Sequence, residues 1–214
     1  MRQDRESVDT LLASDWHLGS KECEAKIIVA MLDHFLYKRL VLVGDIFDGL
    51  DLRGMSRSHF KVLKRMAHAS ASGCDVVRIS GNHDPEFADL SAALGGKPIT
   101  EEYQWEYRGK KYLAIHGDQF EKGRPRAHPE VTHTVYEGAL AYAQRRGVDY
   151  IICGHVHSLK ARSKNGRFYY NAGSGTHRPV TCITIGEKNI RAHKFFGSKG
   201  VKIEVKQLPC IETQ

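Results

Sequence analysis

The chain has 214 residues, with 32 Lys and Arg against 25 Asp and Glu, a formal charge of +7. That length suits one domain with a substantial core, and 41% hydrophobic with 27% charged residues excludes a disordered chain. No apolar run approaches the roughly 20 residues that span a bilayer.

Met1 to Thr10 is polar and of mixed charge, without the apolar core of a signal peptide, so a cytoplasmic protein is expected. The five cysteines, Cys23, Cys74, Cys153, Cys182 and Cys210, are scattered and form no C-x-x-C pair. This points away from a disulfide framework or a thiolate zinc site and toward a reducing compartment. Residues 150–214 carry eleven Lys and Arg against three Glu, a net of +8, while the preceding 149 residues sum to −1. Such a basic third suits a phosphorylated substrate, an anionic membrane surface or nucleic acid, and equally a solvated face.

In chain order, Thr10 to Ala13 reads as a buried strand. A helical stripe follows through Cys23, Ile27, Ile28, Met31, Leu32, Phe35 and Leu36. Leu40 to Val43 is a second strand, and Phe60, Val62, Leu63, Met66 and Ala67 mark a second helix. Asp75 to Ser80, Lys111 to Ile115 and Tyr150 to Cys153 complete five strands, a strand–helix–strand rhythm that means an α/β sheet. Residues 119–149 read as an insertion-like lid with a helix through Val131, Val135, Tyr136, Ala139, Leu140 and Ala143. After residue 158 the pattern turns to hairpins: Asn165-Gly166 is a tight-turn pair, and Val180 to Ile185 precedes Ile190 to Phe195. Residues 1–214 are expected to form one domain.

Each of the five strands runs into ligand-type side chains. These are Asp15-Trp16-His17, then Gly44-Asp45-Ile46-Phe47-Asp48, then Gly81-Asn82-His83-Asp84, then His116-Gly117-Asp118, and last Gly154-His155-Val156-His157. In open α/β sheets the crevice beyond the carboxyl ends of the strands takes the ligand. One D-x-H is weak evidence, since a lone His after a strand is usually a satisfied polar residue. Five clusters in series point to a metal site, because converging carboxylates and imidazoles are costly to bury unless cations coordinate them. Asp48 and Asp118 could each bond a ligating imidazole or cap their own loops.

The five blocks D-x-H, G-D-x-x-D, G-N-H-D, H-G-D and G-H-x-H resemble the calcineurin-like metallophosphoesterase superfamily over about residues 10–185. The resemblance implies a four-layer α/β/β/α sandwich. It also implies two divalent metal ions, one held by Asp15, His17 and His157 and the other by Asn82, His116 and His155, with Asp45 bridging. Mn²⁺ is favoured, with Fe or Zn²⁺ as alternatives. A metal-activated hydroxide would then split a P–O bond. His83 would face the substrate as acid or charge stabiliser, with Asp84 orienting its ring. Within the superfamily, Ser14 to Gly19, Leu42 to Gly49, Ile115 to Phe120 and Arg146 to His157 resemble the UDP-2,3-diacylglucosamine pyrophosphatase-like group. That implies a lipid-linked nucleotide substrate cleaved to UMP and an acylated sugar 1-phosphate at the inner face of a membrane. Arg124, Arg126, His177 and Arg178 are the candidate phosphate contacts. Asn171 to Ser174 resembles instead a turn of small generic phosphodiesterases, and the first two blocks also resemble the core of SbcD/Mre11-type nucleases. A non-catalytic binding module is the remaining alternative.

Overall fold

The computed structural model describes residues 5–49, 52–84, 95, 97, 99–121, 129–198 and 202–210. In chain order its elements are β1 (Glu6–Ala13), α1 (Ala25–His34), β2 (Phe35–Val43), α2 (Arg57–Ala71), β3 (Asp75–Ile79), β4 (Glu102–Tyr107), β5 (Lys110–Ile115) and α3 (Pro129–Arg146). There follow β6 (Tyr150–Cys153), β7 (Lys160–Lys164), β8 (Arg167–Asn171), β9 (Val180–Ile185), β10 (Ile190–Phe195) and β11 (Ile203–Gln207). Among the described residues the strands form two mixed sheets, ordered β11-β10-β9-β1-β2-β3 and β4-β5-β6-β8-β7.

Where the parallel strands run through the centre, at residues 11–13, 40–43, 113–115 and 150–153, they are apolar because both of their faces are covered. Successive residues of β1 point opposite ways. Leu11 and Ala13 pack under α1 and α2 with Ile27, Ile28, Met31, Val62 and Met66. Leu12 faces the other sheet, with Val41, Val43 and Val77 meeting Ala114, Tyr150, Ile152 and Tyr170. On the far side Leu113, Ile115, Ile151 and Cys153 carry α3 through Val135, Ala139, Leu140 and Ala143. The result is the α/β/β/α sandwich, with the ends of β1, β2, β3, β5 and β6 brought to one edge. The described part of the 119–149 segment supplies the fourth layer: Val135 and Leu140 are buried in it, while the side chain of Val131 lies outside the described residues.

Two expectations are corrected. The first helix stops at His34, because Phe35 is already extended at φ −106°, ψ 150° and opens β2, leaving Leu36 half exposed. In α2 the buried stripe is His59, Val62, Met66 and Ala69, and Phe60 points outward at 53% exposure. A capping box sets that phase: Ser56 Oγ accepts from the N–H of His59, while His59 Nδ1 accepts from the N–H of Ser56 at 3.1 Å, tucking His59 inward. The edge strands β4 and β11 went unread because neither has an apolar run. Only Trp105 of β4 is buried, and no residue of β11 is. The Asn165-Gly166 turn is as expected, with φ of 51° and 72° and Lys164 paired to Arg167.

His193, fully buried on β10, shares a 2.8 Å hydrogen bond with Thr184 Oγ1. Burial first, then the charges of His34 and Arg191, drive its pKa down to about 4. The folded protein therefore keeps it neutral while the unfolded chain protonates, so its contribution is intact above about 6.5 and is lost as pH falls to about 4. Urea denaturation should show about 3 kcal/mol of stability disappearing across that window from this group. The His193→Gln variant should show a shallower decline.

Candidate metal centre

The loops leaving β1 and β2 hold each other past the end of the sheet. The N–H groups of Asp15, His17 and Leu18 donate to the carbonyls of Gly44, Asp45 and Ile46 at 3.0, 3.0 and 2.8 Å. The second sheet joins through His155, whose N–H donates to Asp15 Oδ2 at 3.0 Å; within that sheet the Gly154 N–H donates to the His116 carbonyl at 2.9 Å and ties the loops after β5 and β6 together. Ser14 Oγ donates to both the Asp15 carboxylate and the Val43 carbonyl. From the loop after β8, Ser174 Oγ and the Gly175 N–H both donate to the Asp15 carbonyl at 3.0 Å.

Five residues of this rim sit in left-handed backbone: Asp15, His17, Asp45, His155 and His157, with φ of 53°, 46°, 51°, 69° and 50°. Each such non-glycine residue costs about 1–3 kcal/mol and persists only where its surroundings impose it. The turns also need space. At Gly44, itself at φ +83°, a Cβ would collide with the His116 ring, and at Gly81 with Asp45.

The side chains so aimed form two adjoining groups, Asp15 with His17 and His157, and Asp45 with His116 and His155, each with its ligand atoms within 4.8 Å of one another. Asp45 stands between them. Its Oδ2 lies 3.3 Å from His116 Nε2 in one group and 3.8 Å from His17 Nε2 in the other, and its Oδ1 accepts the His83 N–H at 2.7 Å. Each imidazole is held by its other nitrogen. His116 Nδ1–H donates to the Val43 carbonyl at 2.8 Å, and His17 Nδ1 meets Asp48 Oδ1 at 3.3 Å. His155 Nε2 meets Glu121 Oε2 at 2.7 Å, and His157 Nδ1 meets Thr176 Oγ1 at 3.4 Å. Such outer partners fix the tautomer, leaving the inward nitrogen with its lone pair.

Burial would raise the Asp45 carboxyl, but His116, the His83 N–H and His17 outweigh it and hold Asp45 well below the usual carboxylate range. Burial would lower His116, yet the Asp45 and Asp15 carboxylates beside it push it up to about 9. His17 is lowered by burial, against the pull of Asp45 and Asp15. Among the described residues, Asp45 Oδ2 and His116 Nε2 are buried, close, and without a properly aligned hydrogen bond. A cation is the group that satisfies both at once, so the oxygen and nitrogen donor set fits a divalent metal.

Asn82 lies exposed in the turn after β3, next to His83. The His83 ring stands 4.8 Å from that of His17, and its Nδ1 is 3.4 Å from Asp48 Oδ1. The carboxylate beside that ring is therefore Asp48. Asp84 accepts instead from the N–H groups of Phe47 at 2.9 Å and Gly81 at 3.0 Å, and burial raises its pKa to about 6. His177 faces Glu22 at 3.4 Å and Arg178 donates to Glu24 at 2.9 Å, both on exposed side chains. Arg124 and Arg126 lie outside the described residues. Sequence reasoning missed Glu121, Ser174 and Thr176, whose partners are far away in the chain. The G-S-G-T run was the one signal available for the last two.

The domain model of the calcineurin-like phosphoesterase superfamily matches residues 9–186, and the chain belongs to that superfamily, whose members use divalent metals. No curated protein matches the sequence. Among solved structures the chain is similar to Vps29 of Entamoeba histolytica complexed with Zn²⁺, at 17% identity and TM-score 0.58, covering 92% of this chain and 98% of that one. It is similar to YfcE, a phosphoesterase from E. coli, at 19% identity and TM-score 0.55, covering 91% and 95%. An archaeal phosphodiesterase matches at 16% identity and TM-score 0.50, covering 93% and 99%.

Asp45→Asn removes the one charge that both groups share. Elemental analysis of protein dialysed against Mn²⁺ should show fewer ions per chain than in wild type. Two retained ions would contradict the shared role of Asp45.

Proposed function

We propose that this protein is a hydrolase that splits a P–O bond of a phosphodiester or pyrophosphate, using two divalent cations, with Mn²⁺ the favoured metal. The observation that carries the reading is Asp45 Oδ2, buried between His116 Nε2 at 3.3 Å and His17 Nε2 at 3.8 Å. In this reading Asp15, His17 and His157 hold one cation, Asn82, His116 and His155 hold the other, and Asp45 contacts both. The pair would supply Lewis acidity at phosphorus and acidify water to a nucleophile at neutral pH.

The chain's own residues do the rest. The Asp15, Asp45 and His116 side chains are almost wholly buried, whereas those of His157, His83 and Asp48 are 38%, 35% and 39% exposed, so substrate approaches from that side. Asp48 Oδ1, 3.4 Å from His83 Nδ1, steadies that ring and leaves Nε2–H to protonate the departing oxygen. Asp84 ties the 81–84 turn to the loop after β2 and so sets where His83 stands. Arg124 and Arg126 remain candidates for the substrate's phosphates; His177 and Arg178 would have to leave Glu22 and Glu24 to serve there.

For the substrate, the sequence blocks support a UDP-2,3-diacylglucosamine pyrophosphatase-like activity, with the basic C-terminal third meeting an anionic membrane surface from the cytoplasm. Among the described residues no helix is long and apolar enough to cross a membrane. Burial of Val135 and Leu140 in the α3 core favours the second reading, a generic phosphodiesterase, because it takes them out of an acyl-chain groove. A nuclease is the third.

Hydrolysis of bis(p-nitrophenyl) phosphate should vanish with EDTA and return with Mn²⁺. His83→Ala should keep both cations and lose about 10²–10⁴-fold in turnover, and a near-normal rate would remove His83 from the reaction. UMP release from UDP-2,3-diacylglucosamine with plasmid DNA left intact selects the lipid substrate. Cleavage of the simple diester alone selects the generic enzyme.

A further inference from the structure

The four imidazoles are not held alike. His116 leans on a carbonyl, His157 on the Thr176 hydroxyl, and His17 on Asp48, which also serves His83. His155 is held by the carboxylate of Glu121, at 2.7 Å, with the two side chains only 1% and 15% exposed. In so dry a setting a charge-assisted hydrogen bond is neither competed away by water nor screened.

The segment that delivers Glu121 is built for the purpose. Gly117, at φ +113°, turns the chain directly after His116, and the 3₁₀ turn over Asp118–Phe120 closes with the Glu121 N–H on the Asp118 carbonyl at 2.9 Å. Phe120 wedges the turn against α3. It packs so closely on Gly138 that a Cβ there would come within 2.9 Å, and its ring lies 5.8 Å from that of Tyr142. Six residues thus provide one ligand, His116, and the partner of another, His155.

We infer that Glu121 is the positioning residue of the cation site formed by Asp45, His116 and His155. It accepts Nε2–H from His155, which turns the lone pair of Nδ1 toward Asp45 and His116, and its charge makes that nitrogen a stronger donor. The inference rests on the two-cation reading above. Glu121 touches no substrate; it acts through the imidazole.

Co²⁺ titration followed by absorption tests it on wild type, Glu121→Ala, Glu121→Gln, His155→Ala and the Glu121→Ala/His155→Ala double variant. Glu121→Ala should weaken one of the two Co²⁺ ions by about 10–100-fold and leave the other unchanged. Glu121→Gln, which keeps an acceptor without the charge, should lose less. In the His155→Ala background Glu121→Ala should cause no further loss, and the far-ultraviolet circular dichroism of the cation-free Glu121→Ala protein should match wild type, showing that the fold is kept. Equal weakening of both ions, no weakening, or the same loss with and without His155 would overturn the role of Glu121. Wild-type protein that takes up fewer than two Co²⁺ ions would instead overturn the two-cation reading itself.

Discussion

Two buried carboxylates, Asp15 and Asp45, and four histidine nitrogens face one another across the edge where the two sheets meet. Lone pairs brought together in this way repel, and taking the carboxylates out of water adds a desolvation penalty. The strain shows in the groups themselves: the Asp45 and Asp15 carboxylates push His116 up to about 9, and His116 in turn holds Asp45 well below the usual carboxylate range. A divalent cation meets it more completely, since it satisfies several lone pairs with one positive centre. The rest of the fold is arranged to keep these groups in place despite the repulsion.

That arrangement works at three levels. The two-sided apolar strands give the sheets a rigid interface, with Leu12, Val41 and Val43 packed directly behind the rim. At the rim five residues accept left-handed backbone, which turns each side chain inward within two to four residues of its strand end. Beyond them a ring of unrelated groups, the Val43 carbonyl, Asp48, Glu121 and Thr176, holds the outward nitrogens. The partners come from separate loops, so each imidazole is fixed by a different part of the chain.

Much of this was legible in the sequence, and the reason is local. A buried parallel strand must be a short apolar run, and its end must be a turn, so ligand-type residues at five such ends could be read without coordinates. The hairpin at Asn165-Gly166 was legible for the same reason. What escaped was set by side-chain hydrogen bonds and packing that the apolar pattern does not carry. Phe60 points outward because the Ser56–His59 capping box fixes the phase of α2. Strand β4 exists because Trp105 reaches the core between the polar Gln104 and Glu106. Glu121 meets His155 across 34 residues, and nothing in its own neighbourhood marks it. Asp48 shows the limit most clearly: the sequence offered it a ligating imidazole or a loop cap, and the structure places it between two imidazoles, His17 and His83.

The most direct measurement is anomalous diffraction from crystals grown with Mn²⁺. Two peaks should appear on either side of the Asp45 carboxylate, one among Asp15, His17 and His157 and the other among Asn82, His116 and His155. An ordered rim with no anomalous density, and with His116 Nε2 still 3.3 Å from Asp45 Oδ2, would contradict the account.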